Sequence, residues 1–119
     1  MLTAEESSWP AELDALIAAP RQHRLLLENS SVRVLDTQIA PGEQTPVHTH
    51  RWPAVHYVIS WSDFIRRSAD GSVLLDSRAN GGRPTAGSAL WGPPLQAHSL
   101  ENIGRDMLHI VSVEIKTGG

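Results

Sequence analysis

The sequence predicts an all-β fold, a barrel or jelly roll preceded by a short N-terminal helix. Three observations carry the prediction. Beyond Pro20 the chain divides into about eight short stretches in which apolar residues mix with polar ones at strand spacing. Turn-forming clusters separate these stretches: Asn29-Ser30-Ser31, Pro41-Gly42-Glu43, Asp70-Gly71 and Gly104-Arg105-Asp106. Only one segment has helical periodicity, with Leu13, Leu16 and Ile17 at i, i+3 and i+4.

That helix is expected between Pro10 and Pro20. Ser8 serves as its N-cap or staple residue, Pro10 stands in the first turn, and Pro20 ends it. Its apolar stripe predicts a packing arm on the domain. The first two strands, "HRLLLEN" and "VRVLDTQIA", follow. In the second, Val32, Val34 and Ile39 mix with Arg33, Asp36 and Gln38, so one face is expected buried and the other wetted. "VHTH" and "AVHYVIS" are short strands broken by Arg51-Trp52-Pro53. "FIRRSA" and "VLLDS" flank Asp70-Gly71 and predict a hairpin with a tight primed turn. "RANGGRPTAG" reads as a loop, and "SALWG", "QAHSLENI" and "DMLHIVSVEIK" supply the last strands. In the final one, either His109, Val111 and Val113 or Leu108, Ile110 and Ser112 face inward, and hydrophobicity does not choose between them. The expected organisation is an N-terminal helical arm over residues 1–22 and a single β-barrel domain over 23–119.

The 119 residues suffice for one domain with its own core. Apolar residues make up 40% and charged residues 19%, proportions of a folded soluble chain. A net charge of −3 with no Lys/Arg run gives no footprint for nucleic acid or a membrane surface. The absence of cysteine removes disulfides, thiolate nucleophiles and cysteine-ligated zinc. The acidic start has no long apolar run and is not a signal peptide, so a cytoplasmic protein is expected.

Three of the six histidines fall in "PVHTHRWPAVHY", residues 46–57. His48 and His50 stand two apart, which on a strand puts both imidazoles on one face. Such a pair can chelate a divalent ion. A second histidine-bearing stretch, "GSALWGPPLQAHSLEN", raises an otherwise weak signal. Together they resemble the two motifs of the cupins, in particular the small RmlC-like ones. Gly42 followed after five residues by His48-Thr49-His50 matches the first half of motif one. Gly87, Pro93, His98 and Asn102 reproduce the spacing of motif two, with Leu95 in place of its second glycine.

The resemblance implies a double-stranded β-helix, a jelly-roll barrel with both motifs on facing interior strands. It also implies that His48, His50 and His98 match three ligands of a divalent metal such as iron, manganese, nickel or zinc. The fourth ligand of the family, a glutamate, does not carry over, because Ala54 and Val55 occupy its positions. Two readings follow: a three-histidine site like that of the thiol-dioxygenase branch, or a site in which His56 replaces the carboxylate. A metal-free barrel whose histidines bond to one another or to a small ligand stands as the alternative to both. Asn102 and the motif glycines are expected to be structural.

Among the remaining histidines, His109 is expected to be partly buried and structural, and His23 to lie at the surface beside Arg21 and Arg24. One of the adjacent Arg66 and Arg67 must face inward on a strand. An inward Arg66 would anchor a carboxylate or phosphate, whereas a solvated hairpin arm paired to Asp70 or Asp76 is the plainer reading. Trp52, Trp91 and Tyr57 are pocket candidates along with Arg66, although Tyr57 alternates outward if His56 points in. No acid–base pair stands out, since Glu43 and Glu101 both read as exposed, and catalytic residues remain unassigned.

Function is therefore expected to be that of a small metal-binding cupin, an oxygenase or related enzyme acting on a small polar molecule. A non-catalytic ligand-binding or sensing barrel is the alternative. By the same resemblance a homodimer paired through an edge strand is expected.

Overall fold

The computed structural model of the chain describes residues 9–80 and 83–116. Among these residues nine strands form two antiparallel sheets that face each other. They are β1 (His23–Glu28), β2 (Val32–Ile39), β3 (His48–His50), β4 (Ala54–Ser60), β5 (Phe64–Ser68), β6 (Val73–Asp76), β7 (Ala89–Gly92), β8 (Leu95–Asn102) and β9 (Leu108–Ile115). The first sheet has the order β1-β2-β9-β4-β7 and the second β3-β8-β5-β6. No helix of the described residues is long and apolar enough to cross a membrane.

The helical segment is shorter than its periodicity predicts, and Ser8 lies outside the described residues. A 3-10 turn at Ala11–Leu13 precedes α1, Ala15–Ala18. Asp14 caps α1 by accepting a hydrogen bond from the Leu16 amide at 3.1 Å. The apolar stripe does not set the packing. Ile17 is 63% exposed, while Asp14, Ala15 and Ala19 are the buried positions. The segment is held by the ion pair of Asp14 and by a bridge between Asp14 and Thr49 of β3.

In β2 the inward set is Arg33, Leu35, Thr37 and Ile39, not the valines. Arg33, Leu35 and Ile39 are buried, and Thr37 lines the interior. Register explains the burial of a charge there, because Arg33 stands directly opposite Glu114 of β9, which is 1% exposed. The same register settles the final strand: Leu108, Ser112 and Glu114 are buried and Ile110 lines the interior. His109 faces the other way, with Nε2 2.5 Å from Asp36 Oδ1.

The hairpin falls where Asp70-Gly71 predicts it, but the turn is not a primed two-residue one. Among the described residues none other than glycine has positive φ, so Asp70 does not take the left-handed conformation a type I′ turn needs. Instead Ser68 donates its amide to Ser72 O at 2.8 Å across a three-residue loop, with Gly71 at φ +93°. Asp70 Oδ1 accepts the Ser72 amide at 3.0 Å and holds the loop closed. The loop expected from Arg78 onward begins as a 3-10 turn, Ser77–Asn80.

The two motifs meet at Asn102, which is fully buried. Its Nδ2 donates to Ile39 O and Asp106 O, both at 2.8 Å. Its Oδ1 accepts from Ser62 Oγ at 2.7 Å and the Gly104 amide at 2.9 Å. Its backbone carbonyl accepts the Gly42 amide at 2.9 Å, and Gly42 reaches it at φ +82°. One amide side chain thus satisfies four polar groups at the ends of β2, β5 and β9, two of them, Ile39 O and Ser62 Oγ, on buried residues. Replacing it by alanine orphans them together. Asn102→Ala should lower unfolding free energy by about 3 kcal/mol or more, read by urea denaturation against the parent.

Candidate metal centre

The barrel interior is a cavity of about 350 Å³ walled by both sheets. Its chemistry is split. One half is hydrocarbon, built on Ile39, Phe64 and Leu108 with Trp61, Leu75, Leu100 and Ile110 packed against them. The other half is a nest of imidazoles.

His48 and His50 reach the nest from β3 by strand parity, and His98 arrives from β8 directly opposite His48. Ring centroids of His48 and His98 are 4.4 Å apart, and those of His48 and His50 5.0 Å. His50 and His98 are 5.7 Å apart. The fourth member is His23. It opens β1, pairs with inward-facing Thr37, and lies 4.7 Å from His48 and 5.2 Å from His50. The expectation that His23 lies on the surface is thus wrong, since it is only 5% exposed. Of its flanking arginines, Arg24 is the next residue on the strand and so faces the other side, and Arg21 is exposed in the turn before β1. His23, His48 and His50 each offer a nitrogen within 4.8 Å of the other two. His98, a ligand the sequence predicts, stands outside that close trio, with its ring 4.4 Å from His48 and 5.7 Å from His50.

All four rings are tethered in the same way. His23 Nδ1 bonds to Ala19 O at 3.0 Å, His48 Nδ1 to Pro46 O at 2.8 Å, and His98 Nδ1 to Gln96 O at 2.7 Å. His50 Nδ1 bonds to Glu114 Oε2 at 2.9 Å. A carbonyl or carboxylate can only accept, so each Nδ1 carries the proton and each Nε2 keeps a lone pair. No Nε2 of the four makes a hydrogen bond among the described residues. Acceptors grouped without a donor are compatible with a bound cation, and carbonyl or carboxylate tethers on the far nitrogen are what ligating histidines use.

Burial keeps these rings neutral. It lowers His23 and His48 to about 4 and His98 to about 3, with neighbouring imidazoles adding to the effect. His50 is held well below its ordinary value for the same reasons. Neutral imidazole is the ligating form.

Behind His50 lies a charge network that the sequence reading missed. Glu114 divides its carboxylate between His50 Nδ1 and Arg33, whose Nε donates at 2.6 Å. The other end of the guanidinium forks onto Asp14 at 2.9 and 3.0 Å. Burial pushes the Glu114 carboxyl up while Arg33 opposes it. Burial also works to raise Asp14, but the Arg33 fork holds it below the ordinary carboxylate range. Glu114 stands opposite Ala54 in register. A carboxylate is therefore supplied from β9 next to the place on β4 where the family motif puts one. The parity of Leu108, Ile110 and Ser112 is the signal that would have found it.

The other predicted residues are distributed unevenly. His56 lines the cavity, its Nδ1 2.7 Å from Ser112 Oγ, but it stands outside the close trio. Its ring lies so near β7 that a Cβ on Gly92 would fall 2.6 Å from Nε2. Arg66 lines the cavity, while Arg67 faces out to Glu101 at 2.8 Å. Trp91 borders the cavity and is 65% exposed. Trp52 and Tyr57 do not line it. Trp52 stacks among cations, 5.0 Å from the Arg33 guanidinium and 5.3 Å from Lys116 Nζ. Tyr57 has opposite parity to His56 and is 45% exposed. Glu43 and Glu101 are engaged by Gln22 and Arg67 and stay outside the cavity.

Solved structures share this architecture. A cupin domain from Bordetella pertussis Tohama I superposes with a TM-score of 0.64 at 21% identity, over 80% of this chain and 92% of that one. The chain has the cupin fold. An RmlC-like cupin from Methanocaldococcus jannaschii, described as a double-stranded β-helix, gives 0.54 at 17% identity over 78% and 77%. A conserved double-stranded β-helix protein from Klebsiella pneumoniae gives 0.53 at 20% identity over 100% and 86%. No protein-family model and no curated protein matches the sequence.

In this cupin barrel the low histidine pKa values set a pH dependence. The unfolded chain takes up protons near pH 6.5 while the folded one does not until about 4. Stability is therefore full above pH 6.5 and falls as pH drops toward 4. Metal-stripped protein should melt at progressively lower temperature across that window, measured by circular dichroism. A flat profile would contradict neutral, buried rings.

Proposed function

We propose that this chain is a small metal-binding cupin in which His23, His48, His50 and His98 hold one divalent ion, with His56 as a neighbouring support. The observation that carries it is the common tethering of four Nδ1 atoms, which leaves four Nε2 lone pairs grouped without a donor. Bond lengths of about 2.0–2.1 Å to such an ion require only a modest closing of the trio. Iron, manganese, nickel and zinc all accept imidazole. Bound there, such an ion supplies Lewis acidity or, as iron, dioxygen chemistry to a small molecule in the cavity. The protein's own part is to orient the rings through their tethers, to present a dry apolar wall, and to keep Glu114 ionically satisfied behind His50.

We read the reaction class as that of a metal-dependent oxygenase or related enzyme, supported by an all-neutral donor set in an apolar chamber. A specific observation favours a sensing or storage barrel as the second reading: Glu114 is engaged at both oxygens, leaving the cavity no free carboxylate to move protons among the described residues. Dioxygen uptake by the iron-loaded protein with small thiols or diols separates the two.

Tag-free protein should carry close to one ion per chain by elemental analysis. His48→Ala combined with His98→Ala should abolish uptake while the β-sheet circular dichroism spectrum persists. Undiminished metal content would reject the ligand set. Glu114→Gln, which weakens the tether of His50, should cost about 10–100-fold in metal affinity.

We propose that a homodimer forms through the outer face of the five-stranded sheet, in place of the edge-strand pairing expected from the sequence. Leu27, Val34, Val113, Val55 and Trp91 stand in register as one apolar row across all five strands. A second copy of the chain, packed face to face about a two-fold axis, would cover the row. Val55→Glu should then shift the species seen by sedimentation velocity from dimer to monomer, and an unchanged coefficient would reject this face.

A further inference from the structure

The cavity holds a second unmet demand, opposite in sign to that of the imidazoles. Arg66 stands opposite Leu100 in the β5–β8 register, with Ser68 opposite His98 two residues on, so it shares the inner face with His98. It is the only formally charged side chain lining the cavity among the described residues. Arg33, Arg67, Arg78 and Arg83 each hold a carboxylate; Arg66 has none among the described residues. Its Nε is buried without a hydrogen-bond partner, and its guanidinium carbon lies 5.9 Å from the Phe64 ring. The acid nearest in kind, Glu114, is fully taken by Arg33 and His50.

We propose that the cavity binds a small monocarboxylate with an apolar body, its carboxylate on the Arg66 fork beside the histidine cluster and its hydrocarbon against the Ile39–Phe64–Leu108 wall. The proposal deepens the metal-site reading and rests on it only for the adjacent cation. The charge requirement leads to it. The two carboxylates nearest the cluster, Asp14 and Glu114, share Arg33 behind His50 and do not pair with Arg66, so its charge has no counter-ion among the described residues that line the cavity until an anion enters. A guanidinium in a partly dry wall matches a carboxylate with two parallel hydrogen bonds. Phosphate fits less well: as a dianion it needs several donors, and the described side chains of the lining offer no second cationic one. The body of the ligand is apolar because the half of the wall away from the histidines is hydrocarbon, and a volume of about 350 Å³ limits it to a small molecule. Burial lowers the Arg66 pKa, as expected for a cation awaiting its partner.

Calorimetry on cobalt-loaded and metal-stripped full-length protein tests this, with benzoate and 3-methylbutanoate each titrated against its own neutral amide and against inorganic phosphate. At least one acid should bind wild type at least about tenfold more tightly than its amide and than phosphate. Arg66→Gln should erase that preference without changing cobalt stoichiometry. Neither acid outperforming its amide, an equal preference in the variant, or tighter binding of phosphate would each overturn the proposal. If the variant does not fold, the acid–amide comparison on wild type decides alone. Failure to take up cobalt together with a surviving, Arg66-dependent acid preference in stripped protein would remove the metal reading and keep this one. Full cobalt uptake with no acid preference would do the reverse.

Discussion

The buried carboxylate of Glu114 is the constraint around which the molecule is arranged. It reaches β2 through Arg33 and the N-terminal segment through Arg33 and Asp14, and it holds His50 at the cavity wall. Each partner is there because the others are. Taking away one member of such a group leaves an uncompensated buried charge, at a cost of about 3–5 kcal/mol. The short α1 has too little apolar surface to hold itself in place, and Ile17 spends its side chain on solvent. Its attachment is electrostatic, so the seating of the N-terminal segment and the orientation of a histidine in the barrel are parts of one interaction. Trp52 covers the guanidinium at the hub and limits its access to water.

Around that hub the barrel sorts its interior by hydrogen-bond sense. Carbonyls at Ala19, Pro46 and Gln96 and the carboxylate of Glu114 take every Nδ1 proton, which turns the opposite ring edges toward a shared space. Three of these carbonyls lie within four residues of their own histidine. Local backbone geometry therefore presets the rings before any ion arrives. Preset rings with low proton affinity meet a cation without first releasing protons or reorienting.

Two kinds of information were legible in the sequence. Local punctuation placed the strands and the β5–β6 loop, because turn residues act over three or four positions. Motif spacing brought His48, His50 and His98 to one interior, since strand parity and a shared fold determine where they face. What stayed hidden depends on cross-strand register, which one chain read in line does not display. His23 follows a helix end and precedes three leucines that are all about half exposed, so β1 shows no alternation from which to infer its face. Arg33 and Glu114 look like solvent-side charges until register sets them opposite each other. The Asp70 turn failed for a different reason: the dipeptide is compatible with more than one loop length, and the serines at 68 and 72 selected the longer.

The pairing of Ala54 with Glu114 has a consequence for how such barrels diverge. Directly opposed positions on adjacent strands share one small volume, and both here are almost fully enclosed. Two anions would repel there, and two apolar residues would strip His50 and Arg33 of their acceptor. The acid can occupy one position or the other but cannot move between them by independent steps. The structural effect of a change at 54 is thus conditional on the residue at 114, so an acid introduced at one position demands its removal from the other.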